Sequence, residues 1–215
     1  VPGTALEFDG VNDYVDVPNA IGLIPTTELT VEVWAHLDDV GRDQKLVGKA
    51  TPGIGGFVLG VDSDGRLYPE IWDSFGTVKS FQQGTIASNT WTHLAVTWTS
   101  GGKMIGYVNG VQVGSIDASI LPIGVAPGPL LIGIAPWNAT SFPADGLLDE
   151  VRFWTVARTA QQIRESMHVT LTGFETGLAG YWQFNEGSDT TTADSSGNGH
   201  TGTLHGMHPI DNWVD

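Results

Sequence analysis

A chain of 215 residues with 40% hydrophobic residues and no cysteine is long enough to bury roughly 70% of its unfolded surface. That argues against disorder and excludes disulfides, thiolate metal sites and a cysteine nucleophile. The formal charge of −15, from 24 acidic against nine basic residues, repels nucleic-acid phosphates and anionic membrane faces and leaves cations and neutral sugars as easier partners.

No stretch approaches the roughly 18 consecutive apolar residues of a membrane span, so no membrane insertion is expected, and Val1-Pro2-Gly3 does not begin a signal peptide. Gly 29 and Pro 11 without a triplet period point to many tight turns. Ala5-Leu6-Glu7-Phe8 is a short strand that enters a turn at Asp9 to Asp13. Tyr14-Val15-Asp16-Val17 leads out of it and Pro18 closes the strand. Leu29, Val31, Val33, Ala35 and Leu37 alternate with Thr30, Glu32, Trp34 and His36, a period of two that specifies a strand. Shorter strands follow at Leu46 to Lys49 and Phe57 to Val61. Asp64-Gly65 supplies the turn of a hairpin whose second arm is Leu67 to Trp72.

Thr77 to Phe81 and Thr90 to Trp98 extend the meander, the latter with Leu94, Val96 and Trp98 on one face. Asn109-Gly110 between Met104–Val108 and Val111–Gly114 is the strongest hairpin signal in the chain. Leu130 to Ile134 and Leu148 to Trp154 are further strands. One helix is expected near 159–167, opened by the capping box Thr159-Ala160-Gln161-Gln162 with Ala160, Ile163 and Met167 at helical spacing. Leu178 to Phe184 returns to strand, and 188–202 reads as loop by composition. The pattern predicts an all-β, antiparallel two-sheet sandwich of jelly-roll type.

Six stretches in this order resemble one family: Ala5 to Gly10 with Asp13-Tyr14-Val15, Leu29 to Trp34, Trp91 to Thr97, Tyr107 to Gly110, Gly146 to Arg152, and Ala157-Arg158-Thr159 with its helix. Together they are similar to the laminin-G-like, concanavalin-A-like jelly-roll domains of secreted bacterial proteins. That resemblance implies a two-sheet sandwich, usually with a structural calcium ion at one edge and a ligand surface elsewhere. Its relatives range from carbohydrate-binding modules and pentraxins to some glycoside hydrolases, so architecture follows from it more closely than function. In many relatives a segment like Tyr181 to His200, with its Asp194-Ser195-Ser196-Gly197-Asn198-Gly199 loop, precedes the Phe-Asp-Gly turn. Here it comes last, and residues 178–215 are expected to complete a single domain spanning 1–215 rather than to begin a following repeat.

Carboxylates beside strand-core residues need a partner. Calcium takes six to eight oxygen ligands, and one turn holding Asp9, Gly10, Asn12 and Asp13 can present side-chain and carbonyl oxygens together. Strict alternation puts Asp149 on the side of Val151 and Phe153, which suits a carboxylate held by the same ion. The competing reading has Asp9 and Asp13 bonding their own turn and Asp149 paired with an arginine. Asp62-Ser63-Asp64-Gly65 opens like a calcium loop but lacks the downstream acidic ligand, and a hairpin turn explains it.

Enzyme activity is not expected. The Glu-x-Asp-x-x-Glu strand of sandwich glucanases, which sets acid and nucleophile about 5 Å apart, does not occur, and no metalloprotease, serine-hydrolase or phosphate-loop motif is present. His36 and His93 read as packed histidines. Ligand recognition is sought instead on two aromatic loops, Tyr68 with Trp72-Asp73-Ser74-Phe75 and Trp137-Asn138-Ala139-Thr140-Ser141-Phe142. There rings can stack on sugar faces while Asp73 or Asn138 takes hydroxyls. The expectation is a non-catalytic, calcium-stabilised carbohydrate-binding module of a secreted or cell-surface protein. The alternative is an adhesive or structural module that contacts a protein partner or spaces other domains, and a more remote one is a glycoside hydrolase or lyase.

Overall fold

In a computed structural model, all residues are described except 1–2, 19–20, 26, 120–122, 209 and 215. The first strands are β1 (Ala5–Asp9), β2 (Tyr14–Val17), β3 (Glu28–Leu37), β4 (Gln44–Thr51), β5 (Gly55–Val61) and β6 (Arg66–Trp72). Next come β7 (Val78–Ser80), β8 (Gln83–Thr85), β9 (Thr92–Thr99), β10 (Lys103–Val108), β11 (Val111–Asp117) and β12 (Leu130–Ile132). Then follow β13 (Asp145–Trp154), the helix α1 (Ala160–Ser166), β14 (Leu178–Trp182), β15 (Thr191–Thr192), β16 (Gly202–His205) and β17 (Trp213–Val214).

These strands form two antiparallel sheets. The first runs β11-β10-β9-β3-β13-β1-β17, with β14 also on β13; the second runs β15-β16-β2-β12-β4-β5-β6-β7, with β8 also on β6. The alternation read in β3 holds: Leu29, Val31, Val33, Ala35 and Leu37 face the inter-sheet core, as do Leu94, Val96 and Trp98 of β9. Asn109 and Gly110 both have positive φ, 49° and 70°, and close the β10–β11 hairpin as Asn-Gly does in its favoured turn. Thr159 caps α1 with Gln162 returning the bond, completing the capping box.

Residues 178–214 enter both sheets. β14 pairs with β13, β17 with β1, and β16 with β2. Trp182, Phe184, Leu204 and Trp213 join the same core as Leu6 and Phe8. The Asp194 loop ties this segment down as a structural turn: its carboxylate accepts the Tyr181, Ser196 and His200 N–H groups at 3.0, 2.9 and 2.9 Å.

The outward side of the first sheet is covered by α1 and its flanking loops. Trp34 Nε1 donates to the Met167 carbonyl at 2.7 Å, and Arg152 donates to the Ser166 and Val169 carbonyls at 3.0 and 2.8 Å. The second sheet carries no helix on its outward side among the described residues, so its side chains there are open to a loop and to solvent.

Candidate functional site

On β6, Leu67 and Ile71 enter the core, so Arg66, Tyr68, Glu70 and Trp72 point outward. On β4 the register shifts between Lys45 and Val47. This bulge sends both Leu46 and Val47 inward and leaves Lys45 beside Glu70. Lys45 Nζ lies 2.7 Å from Glu70 Oε2 and 4.0 Å from the centre of the Tyr68 ring. Burial, then the neighbouring Glu70 carboxylate, pushes the Tyr68 hydroxyl up to about 12. The strand scaffold therefore presents a neutralised ion pair under one ring.

The 133–144 connection lies flat across this face. Gly133 and Ala144 close its base, the Ala144 N–H donating to the Gly133 carbonyl at 2.8 Å, and the Lys45 N–H donates to the Phe142 carbonyl at 2.9 Å. A Cβ at Gly48 would come within 2.8 Å of Val58 and 3.1 Å of Pro136, so the missing side chain lets the loop approach the sheet. Trp137 then meets Trp72 edge-on at 5.6 Å and 76°, and Phe142 at 6.4 Å and 68°. Phe142 has φ 55° and is 40% exposed. A bulky residue held in the left-handed region with its ring toward solvent is a strained conformation that the surrounding bonds must maintain.

The two aromatic loops read separately in the sequence thus form one patch. Tyr68, Trp72 and Trp137 are brought together. Asp73 and Asn138 are turn residues in this structure. Asp73 Oδ1 accepts the Phe75 and Thr77 N–H groups, both at 2.8 Å, while Asn138 bonds Thr140 and Ser141. Trp72, 8% exposed, supports Trp137 from beneath, and Tyr68 has one face covered by Lys45. Partly buried Trp137 and exposed Phe142, whose ring centre lies 5.7 Å from Lys45 Nζ, remain on this face for a ligand to touch, and Phe75, 75% exposed, stands on the loop after Trp72. The sequence reads Glu70 only as an isolated glutamate and gives Lys45 no signal; alternation along β6 places Glu70 beside Tyr68, but the β4 bulge leaves no signature in the pattern.

The five residues expected to hold calcium do not form one site. Asp9 pairs across the sheet with Asp145, not Asp149, which lies four residues further along β13, about 13 Å away at the usual strand rise. Within the turn, Asp9 Oδ1 accepts the Val11 and Asn12 N–H groups at 2.8 and 3.3 Å, and Asp13 Oδ2 accepts the Asp9 N–H at 3.0 Å. Burial raises the Asp13 carboxyl above its ordinary range, and the Asp9 charge adds to this against the Asp9 N–H bond. Arg42 donates to the Gly10 carbonyl at 2.7 Å and reaches Asp145 at 3.4 Å. A guanidinium thus already stands on the carbonyl that a cation would take, and the residues do not fit the family's ion.

Asp149 belongs elsewhere. Glu150 has φ 52° and the β13 register shifts there, so Leu148 and Val151 both face the core and Asp149 sides instead with its cross-strand partner Trp34. The side predicted by strict alternation is therefore wrong. Asp149 is 1% exposed, accepts the Glu150 N–H at 2.7 Å, and has its carboxyl pushed up to about 8 by burial and the Glu150 charge. Around it lies a buried charged layer. Glu32 is held by Arg158 at 2.6 Å and by His93 at 3.3 Å, while Glu150 is bonded by Arg152 and by the Tyr181 hydroxyl. Burial opposes the Glu32 charge, but His93 and the two arginines outweigh it and lower its carboxyl. His93 is a packed histidine, 1% exposed, as read in the sequence.

A family model for the concanavalin A-like lectin/glucanase superfamily matches residues 9–164. The chain belongs to that superfamily. A candidate carbohydrate-binding protein from Bacteroides ovatus superposes on the superfamily member with a TM-score of 0.74 at 24% identity, over 99% of this chain. The chain spans 61% of that protein's length. A heptameric pentraxin of Limulus polyphemus has a TM-score of 0.58 at 20% identity, covering 75% of this chain and 80% of the pentraxin. The binding domain of Paraclostridial Mosquitocidal Protein 1 reaches 0.59 at 15% identity over 71% of this chain and 40% of the toxin structure. At these identities the likeness is one of fold. No curated protein sequence matches the chain.

Proposed function

We propose that the chain is a non-catalytic carbohydrate-binding module and that its saccharide sits on the outward face of the second sheet, against Trp137 and Phe142. The observation that carries this reading is the strained, half-exposed Phe142 held edge-on to Trp137 over a buried Trp72. Exposed rings backed by a rigid sheet stack on the apolar faces of sugars at little entropic cost. The name of the Bacteroides ovatus structure and the lectin members of the superfamily support the same reading. The carboxylate beside the rings, Glu70, is bonded to Lys45 and Tyr68 rather than free to protonate a leaving group, which favours binding over hydrolysis. In this reading the module belongs to a secreted or cell-surface protein, where polysaccharide is met.

The test is retardation in polysaccharide-containing native gels, with affinities from calorimetry for any polymer that slows the protein. Trp137→Ala is expected to weaken binding about 10-fold or more, as loss of a stacking anchor costs roughly 1.5–2 kcal/mol. Phe174→Ala, at a 90% exposed ring in the connection after α1, serves as control and should bind like the parent. Equal affinity of the Trp137 variant and the parent would move the site elsewhere.

One feature favours contact with a protein as a second reading. Exposed Ile54, Phe75 and Val125 sit on neighbouring loops, where Gly76 approaches Gly53 and Gly124 approaches Ile54. Retention on a protein partner that survives Trp137→Ala but not Phe75→Ser would support it.

A further inference from the structure

We infer that the saccharide accepted at Trp137 and Phe142 is neutral, and that sialylated, sulfated and uronic-acid glycans are excluded; this rests on the carbohydrate reading above. An anionic sugar is held most strongly where a cation can turn toward it. Among the described residues, the cations on the outward side of β4 to β6 are Lys45 and Arg66, and both are held by carboxylates of the protein. Lys45 lies 2.7 Å from Glu70, with the two side chains 4% and 10% exposed. Arg66 Nη2 lies 2.9 Å from Asp62 and 2.5 Å from Asp64, and its Nε donates to Asp62 at 3.0 Å.

Turning Lys45 toward a ligand would take the cation from Glu70, 8% exposed, and turning Arg66 away would leave Asp62, 4% exposed, with only the Asp64 and Arg66 N–H groups on one of its oxygens. An unpaired buried charge is among the costliest defects a protein can carry. The surrounding field adds to the exclusion. Asp43 and Glu70 both press on Tyr68, and the chain as a whole carries −15, which lowers the local concentration of anionic ligands. A neutral pyranose asks for none of this. It needs an apolar ring face, which the Trp137–Phe142 corner offers at 68°, and rim hydroxyls: beside it Thr140 Oγ1, donating to Asn138, keeps lone pairs to accept, and Ser141 Oγ, accepting from Asn138, keeps its proton to donate.

The experiment is a printed array of neutral, sialylated, sulfated and uronic-acid glycans, probed in 150 mM salt with the parent chain and with Trp137→Ala, the variant's fold being checked by near-ultraviolet circular dichroism. Signal on neutral glycans, reduced about 10-fold or more by Trp137→Ala, with anionic glycans below one-tenth of that signal, is the expected result. Anionic glycans bound as strongly as neutral ones and sensitive to Trp137→Ala would overturn the inference and leave the carbohydrate reading standing. Signal on no class would overturn both. Neutral binding indifferent to Trp137→Ala would overturn the placement on which the inference depends.

Discussion

Asp149 is a carboxylic acid kept from water with one N–H for company, and its carboxyl is pushed up to about 8 by burial and by Glu150. A carboxyl whose folded value lies above its unfolded one stabilises the fold while it is protonated. That contribution is complete below about pH 4 and is lost as pH rises through 8. Glu32 runs the other way. Lowered by His93, Arg158 and Arg152 against its burial, it stabilises above its unfolded value and loses that contribution as pH falls. The parent should therefore become less stable between pH 5 and pH 8.5, and Asp149→Asn, which keeps the shape without the charge, should flatten that slope. At pH 8 the variant is expected to be the more stable by about 1–3 kcal/mol, seen as a melting temperature higher by several degrees. Parallel curves for parent and variant would show that Asp149 does not titrate in this window. The residue was conspicuous in the sequence as a carboxylate on a strand, yet its side of the sheet was not readable. One left-handed residue, Glu150, reverses the alternation from which the side was deduced.

At the level of elements, the sequence was legible wherever periodicity or turn chemistry acts locally. The β3 alternation, the Asn109-Gly110 turn and the Thr159 capping box each carry their own physical signal. β15, β16 and β17 do not, because strands of two to four residues take their register from neighbours already in place, and 188–202 has the composition of a loop. The join between the Trp72 and Trp137 loops was illegible for the same reason: it depends on Gly48 making room for Pro136, a contact between distant strands. The late strands nevertheless matter to both sheets. Cutting the chain after Gly177 would remove Trp182, Phe184, Leu204 and Trp213 from the core and unpair edges of β13, β1 and β2. Each large buried ring is worth about 3–5 kcal/mol when truncated, against a typical total of 5–15 kcal/mol. The shortened chain is expected to lose near-ultraviolet dichroism and cooperative melting. A cooperative transition in residues 1–177 would show instead that 178–215 is an accessory to a fold complete without it.

For the whole molecule, an excess of acidic groups has to be held in one compact body without self-repulsion opening it. At the β1–β13 edge this falls to Arg42. Asp145 feels Asp38, Asp39 and Asp9, and its carboxyl is raised by burial and those charges against the pull of Arg42. Since the guanidinium also bonds the Gly10 carbonyl, the corner carries its own cation. The expected melting temperature in excess chelator is that of the untreated protein. Arg42→Met should lower it by about 2–4 °C, the effect of roughly 1 kcal/mol for a partly exposed pair in a chain of this size. Net charge complicates the measurement, because any divalent cation screens a chain of −15 and raises its stability without a specific site. Calcium must therefore be compared with magnesium at equal ionic strength. Equal small gains from both ions fit an edge closed by Arg42. A drop of more than about 5 °C in chelator, restored by calcium but not by magnesium, would mean that an ion binds despite the arginine and that the turn at Asp9 to Asp13 rearranges to receive it.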